Sequence, residues 1–199
     1  MKEVKDDSAG LALAIKSIKN SGVVIFPTDT VYGIGCNPYD ENAVNRIYQI
    51  KNRDKTKPLP ILAYSKQILE NIVEFSQITN KITEKFWPGR LTIVLPLKDK
   101  KLKRLSGGTN TLAVRIPNSK CGLLLKECGL IVGTSANISG KEPFTNPECI
   151  KGKIPDCDIF LNGGEIQSSG PSTIIEIKNQ KIKILRNGDI SKNDLVKAL

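Results

Sequence analysis

Apolar residues along the chain fall into short blocks whose spacing alternates between helical and strand periods. Leu11, Ile15 and Ile18 recur at helical spacing, which predicts a first helix opening at Ser8 and closed by Gly22. Val23 to Phe26 is an apolar run ended by Pro27, the pattern of a buried strand. Val44, Ile47 and Tyr48 share one face of a second helix, capped by Asp40 and running to about Lys51. Leu59–Ala63 reads as a strand, followed by one or two helices between Lys66 and Phe86, with Ser76 as a cap. Leu91–Leu97 and Thr111–Ile116 read as strands, Cys121–Cys128 as a short helix and Leu130–Gly133 as another strand. Ile159–Leu161, Ser172–Ile177 and Lys181–Leu185 complete the strands, with Asn179-Gln180 as the turn of a final hairpin. The capping signature Ser191-x-x-Asp194 starts a C-terminal helix. No repeat or low-complexity linker interrupts the series, so it predicts a single domain over 1–199. Its class is α/β (α+β), a mixed parallel and antiparallel sheet flanked by helices.

Composition narrows the chemistry. With 199 residues and 39% hydrophobic content the chain can bury a proper core. Its apolar runs are all far shorter than 18 residues, so none predicts a membrane span, and the mixed charges of Met1–Asp7 are unlike a signal peptide. The chain has no histidine, which excludes Ser-His-Asp and Cys-His catalysis and any His-ligated metal. Five cysteines, an odd number without a C-x-x-C pair, give neither a zinc spacing nor a disulfide framework. Reduced, mostly buried thiols in a cytoplasmic protein are the expectation.

The formal charge is +10, from 30 Lys+Arg against 20 Asp+Glu, which favours anionic partners such as nucleotide phosphates or nucleic acid. Lysine outnumbers arginine 24 to 6, so much of this charge is ordinary solvated surface, and the arginines at 46, 53, 90, 104, 115 and 186 are the informative cations. The run Lys98–Arg104, five bases and one acid before Gly107-Gly108, reads as an exposed, mobile loop.

Two phosphate motifs are suggested and both fail. Gly33-x-Gly35 lacks the third glycine of a dinucleotide fingerprint, where Pro38 stands; Gly133 to Gly140-Lys141 is spaced too widely for a P-loop and continues with Glu142. Other segments suit anions better. Thr28-Asp29-Thr30-Val31-Tyr32-Gly33 follows a buried strand, where α/β proteins place ligands, although a tight polar turn explains it equally. Lys51–Lys57 carries four bases in seven residues, a loop suited to a polyphosphate or simply a basic turn. Gly133–Gly140 offers small hydroxyls and an amide as a backbone nest or a helix cap. Arg115 lies within a β-like run and Arg186 after the last strand; each must face solvent, an ion pair or a site.

Taken in order, these segments resemble a family. Phe26-Pro27-Thr28-Asp29-Thr30-Val31-Tyr32-Gly33, Lys51-x-Arg53, Phe86-Trp87-Pro88-Gly89, Ala113-Val114-Arg115-Ile116-Pro117, Ser135–Gly140 and Ser172-Thr173 are similar to the YrdC-like threonylcarbamoyl-AMP synthases over nearly the whole chain. The length matches the family's short form. The resemblance implies a twisted mixed sheet around a positively charged cavity. It further implies that L-threonine, bicarbonate or CO2, and ATP (with Mg2+) give threonylcarbamoyl-AMP and pyrophosphate, which supply the modification of tRNA adenosine 37. The resemblance carries the catalytic pairs onto Lys51, Arg53, Ser135 and Asn137. ATP contacts fall on Arg53, Lys57, Thr111, Ser135 and Arg186, threonine contacts on Thr30, Arg115 and Ser172, and no residue is expected to hold a metal. Partners implied are tRNA and the proteins of threonylcarbamoyl transfer, with no membrane.

This chain departs from the pattern at Arg90 and Asn187, where prolines are common, and at Leu62, where some relatives carry a threonine-contacting histidine. Two rival readings remain: a noncatalytic RNA-binding protein, motivated by the charge, and a nucleotidyl-transfer domain related to carbamoyltransferases. Aromatic residues form only 5% of the chain and do not cluster, which disfavours an RNA-stacking surface.

Overall fold

The computed structural model describes residues 1–119, 121–168, 170–178 and 180–199. In chain order the elements are β1 (Lys2–Lys5), α1 (Ser8–Lys19), β2 (Val24–Phe26), β3 (Gly33–Gly35), α2 (Glu41–Ile50) and β4 (Ile61–Ala63). They continue with α3 (Lys66–Glu70), α4 (Gln77–Phe86), β5 (Leu91–Pro96), a 3-10 helix (Lys100–Ser106), β6 (Thr111–Arg115), α5 (Cys121–Cys128), β7 (Leu130–Val132) and β8 (Thr134–Ser135). A 3-10 turn (Pro147–Cys149), β9 (Ile159–Asn162), β10 (Thr173–Lys178), β11 (Lys181–Arg186) and α6 (Lys192–Val196) complete the series. Local chemistry sets the helix starts: the Asp7, Asp40, Ser65, Ser76 and Ser191 side chains each accept from a backbone N–H in the first turn.

The sequence predicts one mixed sheet, and two form. Their strand orders are β1-β9-β2-β3-β8 and β11-β10-β5-β6-β4-β7, each mixing parallel and antiparallel pairs. The division occurs because the chain leaves one sheet after Val132 and enters the other at Thr134, turning at Gly133. Backbone bonds hold this corner, Val132 N donating to Cys36 O (2.9 Å) and Gly133 N to Pro60 O (3.0 Å). Strand periodicity then sorts side chains into two cores. Ile25, Ile61, Ala63 and Val132 join the main cluster with α2, whereas Val24, Phe26, Leu62 and Ile131 face the cluster formed with α1 and α5.

Three short strands escape the sequence pattern. β1 holds one apolar residue among Lys2, Glu3 and Lys5, yet it pairs in parallel with β9 at the sheet edge. β3 is the failed dinucleotide glycine pair, used instead for close packing: a Cβ on Gly35 would meet Val132 O at 2.1 Å. β8 is only Thr134–Ser135. The basic run 98–104 is also corrected, from a mobile loop to a 3-10 helix over Lys100–Ser106, because Leu102 and Leu105 are fully buried and anchor it. Of the expected final turn, Asn179 lies outside the described residues; Lys178 pairs with Lys181, and Gln180 takes a left-handed φ of 60°. Among the described residues no helix is long and apolar enough to cross a membrane.

The glycines at the corner and in α5 make a paired test of this packing. Gly35→Ala forces a Cβ against backbone and should destabilise the fold by about 1–3 kcal/mol in urea unfolding. Gly122→Ala, in helical backbone with nothing within 4 Å, should stabilise by about 0.5–1 kcal/mol. Equal effects at the two positions would contradict the tight corner.

Candidate functional site

Cross-strand register places two arginines in one row across the six-stranded sheet. Arg186 of β11 pairs with Ile174, Ile174 with Thr92, and Leu62 with Arg115. Ile93 pairs with Val114, which sets Thr92 beside Arg115 and closes the row. This row forms the floor of a cleft of about 560 Å3, including its open mouth, whose other wall is Thr28, Thr30, Gly33, Gly133 and Ser135. The cleft therefore lies where the two sheets meet at Gly133, and each sheet supplies one wall.

Arg115 is 5% exposed and its guanidinium is fixed on several sides. Nη2 meets Asp29 Oδ1 at 2.5 Å, Nη1 donates to Thr30 Oγ1 (3.1 Å) and Nε donates to Gly89 O (2.8 Å). Burial pulls its affinity for the proton below the ordinary arginine value, and the Asp29 carboxylate works in the opposite direction. Arg186 is held similarly, Nε donating to Ser172 O and Nη2 to Ser172 Oγ, both at 3.0 Å. Ser172 Oγ lies 2.8 Å from Thr92 Oγ1, so a hydroxyl chain links Arg186 to the cleft floor. Burial lowers the Arg186 pKa, and the charge of Arg115 lowers it further. The cleft is thus electropositive and already organised for an anion.

The paired motif residues occupy its far wall and the layer behind. Ser135 Oγ donates to Asn137 Oδ1 (2.6 Å), and Asn137 Nδ2 donates to the carbonyls of Ile138 (3.0 Å) and Lys141. Lys51, 1% exposed, lies beneath this turn. Its Nζ donates to Ser135 O, to Asn137 O (2.7 Å) and to Asn137 Oδ1 (3.1 Å), while Lys51 O accepts from Ser139 N (2.8 Å). All three ammonium protons are used by the turn, so in this structure Lys51 is a positioning residue. Burial, with the Arg53 charge, brings its pKa down to about 7.

Sequence reasoning places ten residues at the site, and the structure gathers them unevenly. Thr30, Arg115, Ser135, Ser172 and Arg186 line the cleft, and Lys51 and Asn137 form the layer behind Ser135. Arg53 is outside the lining: Nη2 donates to Pro58 O (2.9 Å), while its buried Nε has no partner among the described residues. Lys57 is exposed on the same loop, and its carbonyl accepts from Tyr48 Oη (3.1 Å). Thr111 stands at the opposite end of β6 from Arg115, roughly 13 Å away at strand rise, with its hydroxyl 3.1 Å from Thr109 Oγ1. It does not line this cleft. The sequence reading names Asp29 within the candidate segment Thr28–Gly33 without giving it a separate role, and it misses Thr92. Each has a signal: Asp29 is a carboxylate flanked by threonines at a strand exit, and Thr92 is the hydroxyl in an otherwise apolar run. Leu62 lines the cleft and packs so closely that a Cβ on Gly133 would meet its Cγ at 2.4 Å.

The family model of Sua5, YciO and YrdC, described as telomere recombination, matches residues 16–188. The chain belongs to the Sua5/YciO/YrdC family. It is 36% identical over 196 residues to a threonylcarbamoyl-AMP synthase of Pyrococcus abyssi, covering 95% of this chain and 57% of that protein. It is 38% identical over 183 residues to a putative threonylcarbamoyl-AMP synthase of Methanocaldococcus jannaschii, covering 88% of this chain and 84% of the relative. The crystal structure of P. abyssi Sua5 complexed with L-threonine superposes with a TM-score of 0.91 at 33% identity, over 99% of this chain and 60% of that one. The chain therefore spans about 57% of the length of the Pyrococcus synthase. The two-sheet corner of this chain is the fold of that family.

The lysine beneath the Ser135–Asn137 turn gives a pH test with a definite sign. Its folded pKa is about 7 against an unfolded value near 10.4, so between these values the unfolded chain binds the extra proton. Stability should rise with pH across this window, by up to about 1.4 kcal/mol per pH unit from this group. Urea unfolding of wild type and Lys51→Met at pH 6.5, 7.5 and 8.5 isolates the contribution as a difference. The wild type should gain on the variant as pH rises; a constant difference would show Lys51 charged throughout.

Proposed function

We propose that this chain is an L-threonylcarbamoyladenylate synthase, a nucleotidyltransferase using L-threonine, bicarbonate or CO2, and ATP. The observation that carries the reading is the row Arg186–Ile174–Thr92–Arg115 facing Thr30 and Ser135, with the buried Arg115 guanidinium at one side of one small cleft and the more exposed Arg186 at the other. Arg115, fixed by Asp29 and Gly89, has donors left to grip an α-carboxylate, and Thr30 and Ser172 are placed to meet a side-chain hydroxyl. Arg53, Lys57, Ser135 and Arg186 receive the phosphates in this reading. Thr111, far along β6, is left with at most an outlying nucleotide contact.

The chemistry needs charge stabilisation more than a strong base. The neutral amine of threonine adds to CO2, forming the N–C bond of a carbamate and releasing a proton to solvent. A carbamate oxygen then attacks the α-phosphorus; the bond from that phosphorus to the bridging oxygen breaks, and pyrophosphate leaves with the electron pair. Charge accumulates on phosphate oxygens, where fixed guanidinium groups and the Ser135 turn act by position and field. Among the described residues no cluster of three or more Cys, Asp or Glu could hold a metal. The Asp29 carboxylate beside the cleft is already paired with Arg115. The residues thus do not fit a protein-held Mg2+, and Mg2+ enters as the companion of the ATP phosphates. Unpaired thiols at positions 36, 121, 128, 149 and 157 suit a cytoplasmic setting, where the adenylate is passed to tRNA by the threonylcarbamoyl-transfer proteins.

Pyrophosphate release tests the reading directly. It should require threonine and bicarbonate together, and omission of either should abolish it. With amino acids at equal concentration threonine should lead. Serine, lacking one methyl, should be a detectable second, since one such group is worth only about 1–3 kcal/mol. Valine, which leaves the hydroxyl partners unpaired, should be essentially inactive. Release without bicarbonate, or valine turning over as well as serine, would sink the assignment.

A further inference from the structure

The hydroxyls around the cleft differ in which way their protons face. Each hydroxyl owns one proton and two lone pairs, so a proton spent inside the protein leaves only lone pairs for a ligand. Thr28 Oγ1 donates to Val31 O (2.6 Å), and the 3.1 Å contact between Thr28 and Thr30 is therefore donated by Thr30. Thr30 Oγ1 in turn accepts from Arg115 Nη1 (3.1 Å). On the facing wall the Ser135 proton goes to Asn137 Oδ1 (2.6 Å). Thr28, Thr30 and Ser135 can thus accept a hydrogen bond from a ligand in the cleft, but none has a proton left to give.

The pair Thr92 and Ser172 on the cleft floor is different. Their oxygens lie 2.8 Å apart and share one hydrogen bond, which uses one of their two protons. Arg186 sets the direction of that bond. Its Nη2 donates to Ser172 Oγ (3.0 Å), and a hydroxyl that accepts from a charged group becomes a stronger donor through its own proton. The chain runs from Arg186 Nη2 to Ser172 Oγ to Thr92 Oγ1, and the remaining proton is on Thr92. Thr92 lines the cleft and stands beside Arg115 in the cross-strand row, with its side chain otherwise buried.

We propose that Thr92 is a specificity-determining residue, the donor that recognises the side-chain hydroxyl of the amino-acid substrate, with its proton aimed by Arg186 through Ser172. Threonine as the ligand rests on the function proposed above, so binding and adenylate synthesis are read separately. With the α-carboxylate on Arg115, the β-hydroxyl of the same molecule is only a few bonds away, and Thr92 is the next side chain along the row toward Arg186. A bound hydroxyl needs an acceptor for its proton and a donor for its oxygen. The lone pairs of Thr30 and Ser172 supply the first, and Thr92 supplies the second. An amino acid without the hydroxyl strands this buried donor, which is how a polar site rejects an apolar analogue. The chain also joins the two ends of the cleft: Arg186, placed at the phosphates, orients the proton that reads the amino acid.

The experiment is isothermal titration of the full chain, without ATP, with L-threonine, L-serine and L-2-aminobutyrate, the last being threonine without its hydroxyl. Thr92→Val should weaken threonine and serine by the same factor, about tenfold, and change 2-aminobutyrate by less than about twofold. The retained 2-aminobutyrate binding shows that the variant is folded. Thr92→Ser, which restores the donor, should recover threonine binding to within about threefold of wild type. Arg186→Met should weaken threonine severalfold in the wild-type background and less than about twofold in Thr92→Val, because the relay is already cut there. In pyrophosphate release, Thr92→Val should raise the threonine KM and leave the ATP KM unchanged. Unchanged threonine binding in Thr92→Val would overturn the proposal. So would an equal loss of all three amino acids, or additive losses in the cycle with Arg186. A wild type that shows the expected binding pattern yet releases no pyrophosphate would instead overturn the synthase reading alone.

Discussion

A guanidinium buried between two sheets cannot be left without a counter-charge, and that constraint organises this molecule. Arg115 leaves β6 of the six-stranded sheet, and its partner Asp29 sits on the loop that leaves β2 of the five-stranded sheet, at 2.5 Å. Removing one member of such a pair strands an uncompensated charge at a cost of about 3–5 kcal/mol. The sheets are thus joined by backbone at the Gly133 corner and by side chains around this ion pair. The cleft is the space between the two joints. Its electropositive character follows, since Asp29 offsets Arg115 and leaves Arg186 as excess.

The turn that carries Ser135 and Asn137 depends on a buried lysine. Lys51 spends its ammonium protons on carbonyl-type oxygens of the turn, without a carboxylate nearby. A turn fixed this way keeps the Ser135 hydroxyl on the cleft wall before any ligand arrives, the preorganisation that phosphoryl-type chemistry demands. The two cations of the motif differ in role: Lys51 faces inward to hold the turn, while Arg53 lies outside the cleft lining with Nη2 on Pro58 O.

Much of this was legible in the chain and some was not, for physical reasons. Helix starts were readable because a cap is a local event, as at Asp40, Ser76 and Ser191. Thr30, Arg115, Ser135, Ser172 and Arg186 were carried onto the chain by the family resemblance, and all five line one cleft. The division into two sheets was hidden, since it depends on Gly133 turning the chain, a tertiary event invisible to periodicity. β1 and β8 were hidden because four and two residues give no period. The run 98–104 misled because its charge outweighed the spacing of Leu102 and Leu105, which the core reads as anchors. Thr111, given a nucleotide contact by resemblance, lies roughly 13 Å along β6 from Arg115 and does not line this cleft.

The most direct measurement of the central constraint is a double-mutant cycle on urea unfolding, using Asp29→Asn, Arg115→Met and the pair. Each single variant should destabilise strongly. The double variant, having no stranded charge, should lose less than the sum, with a coupling on the order of 1–3 kcal/mol. Losses additive to within about 0.5 kcal/mol would contradict the account, because the two sheets would then not depend on each other through this pair.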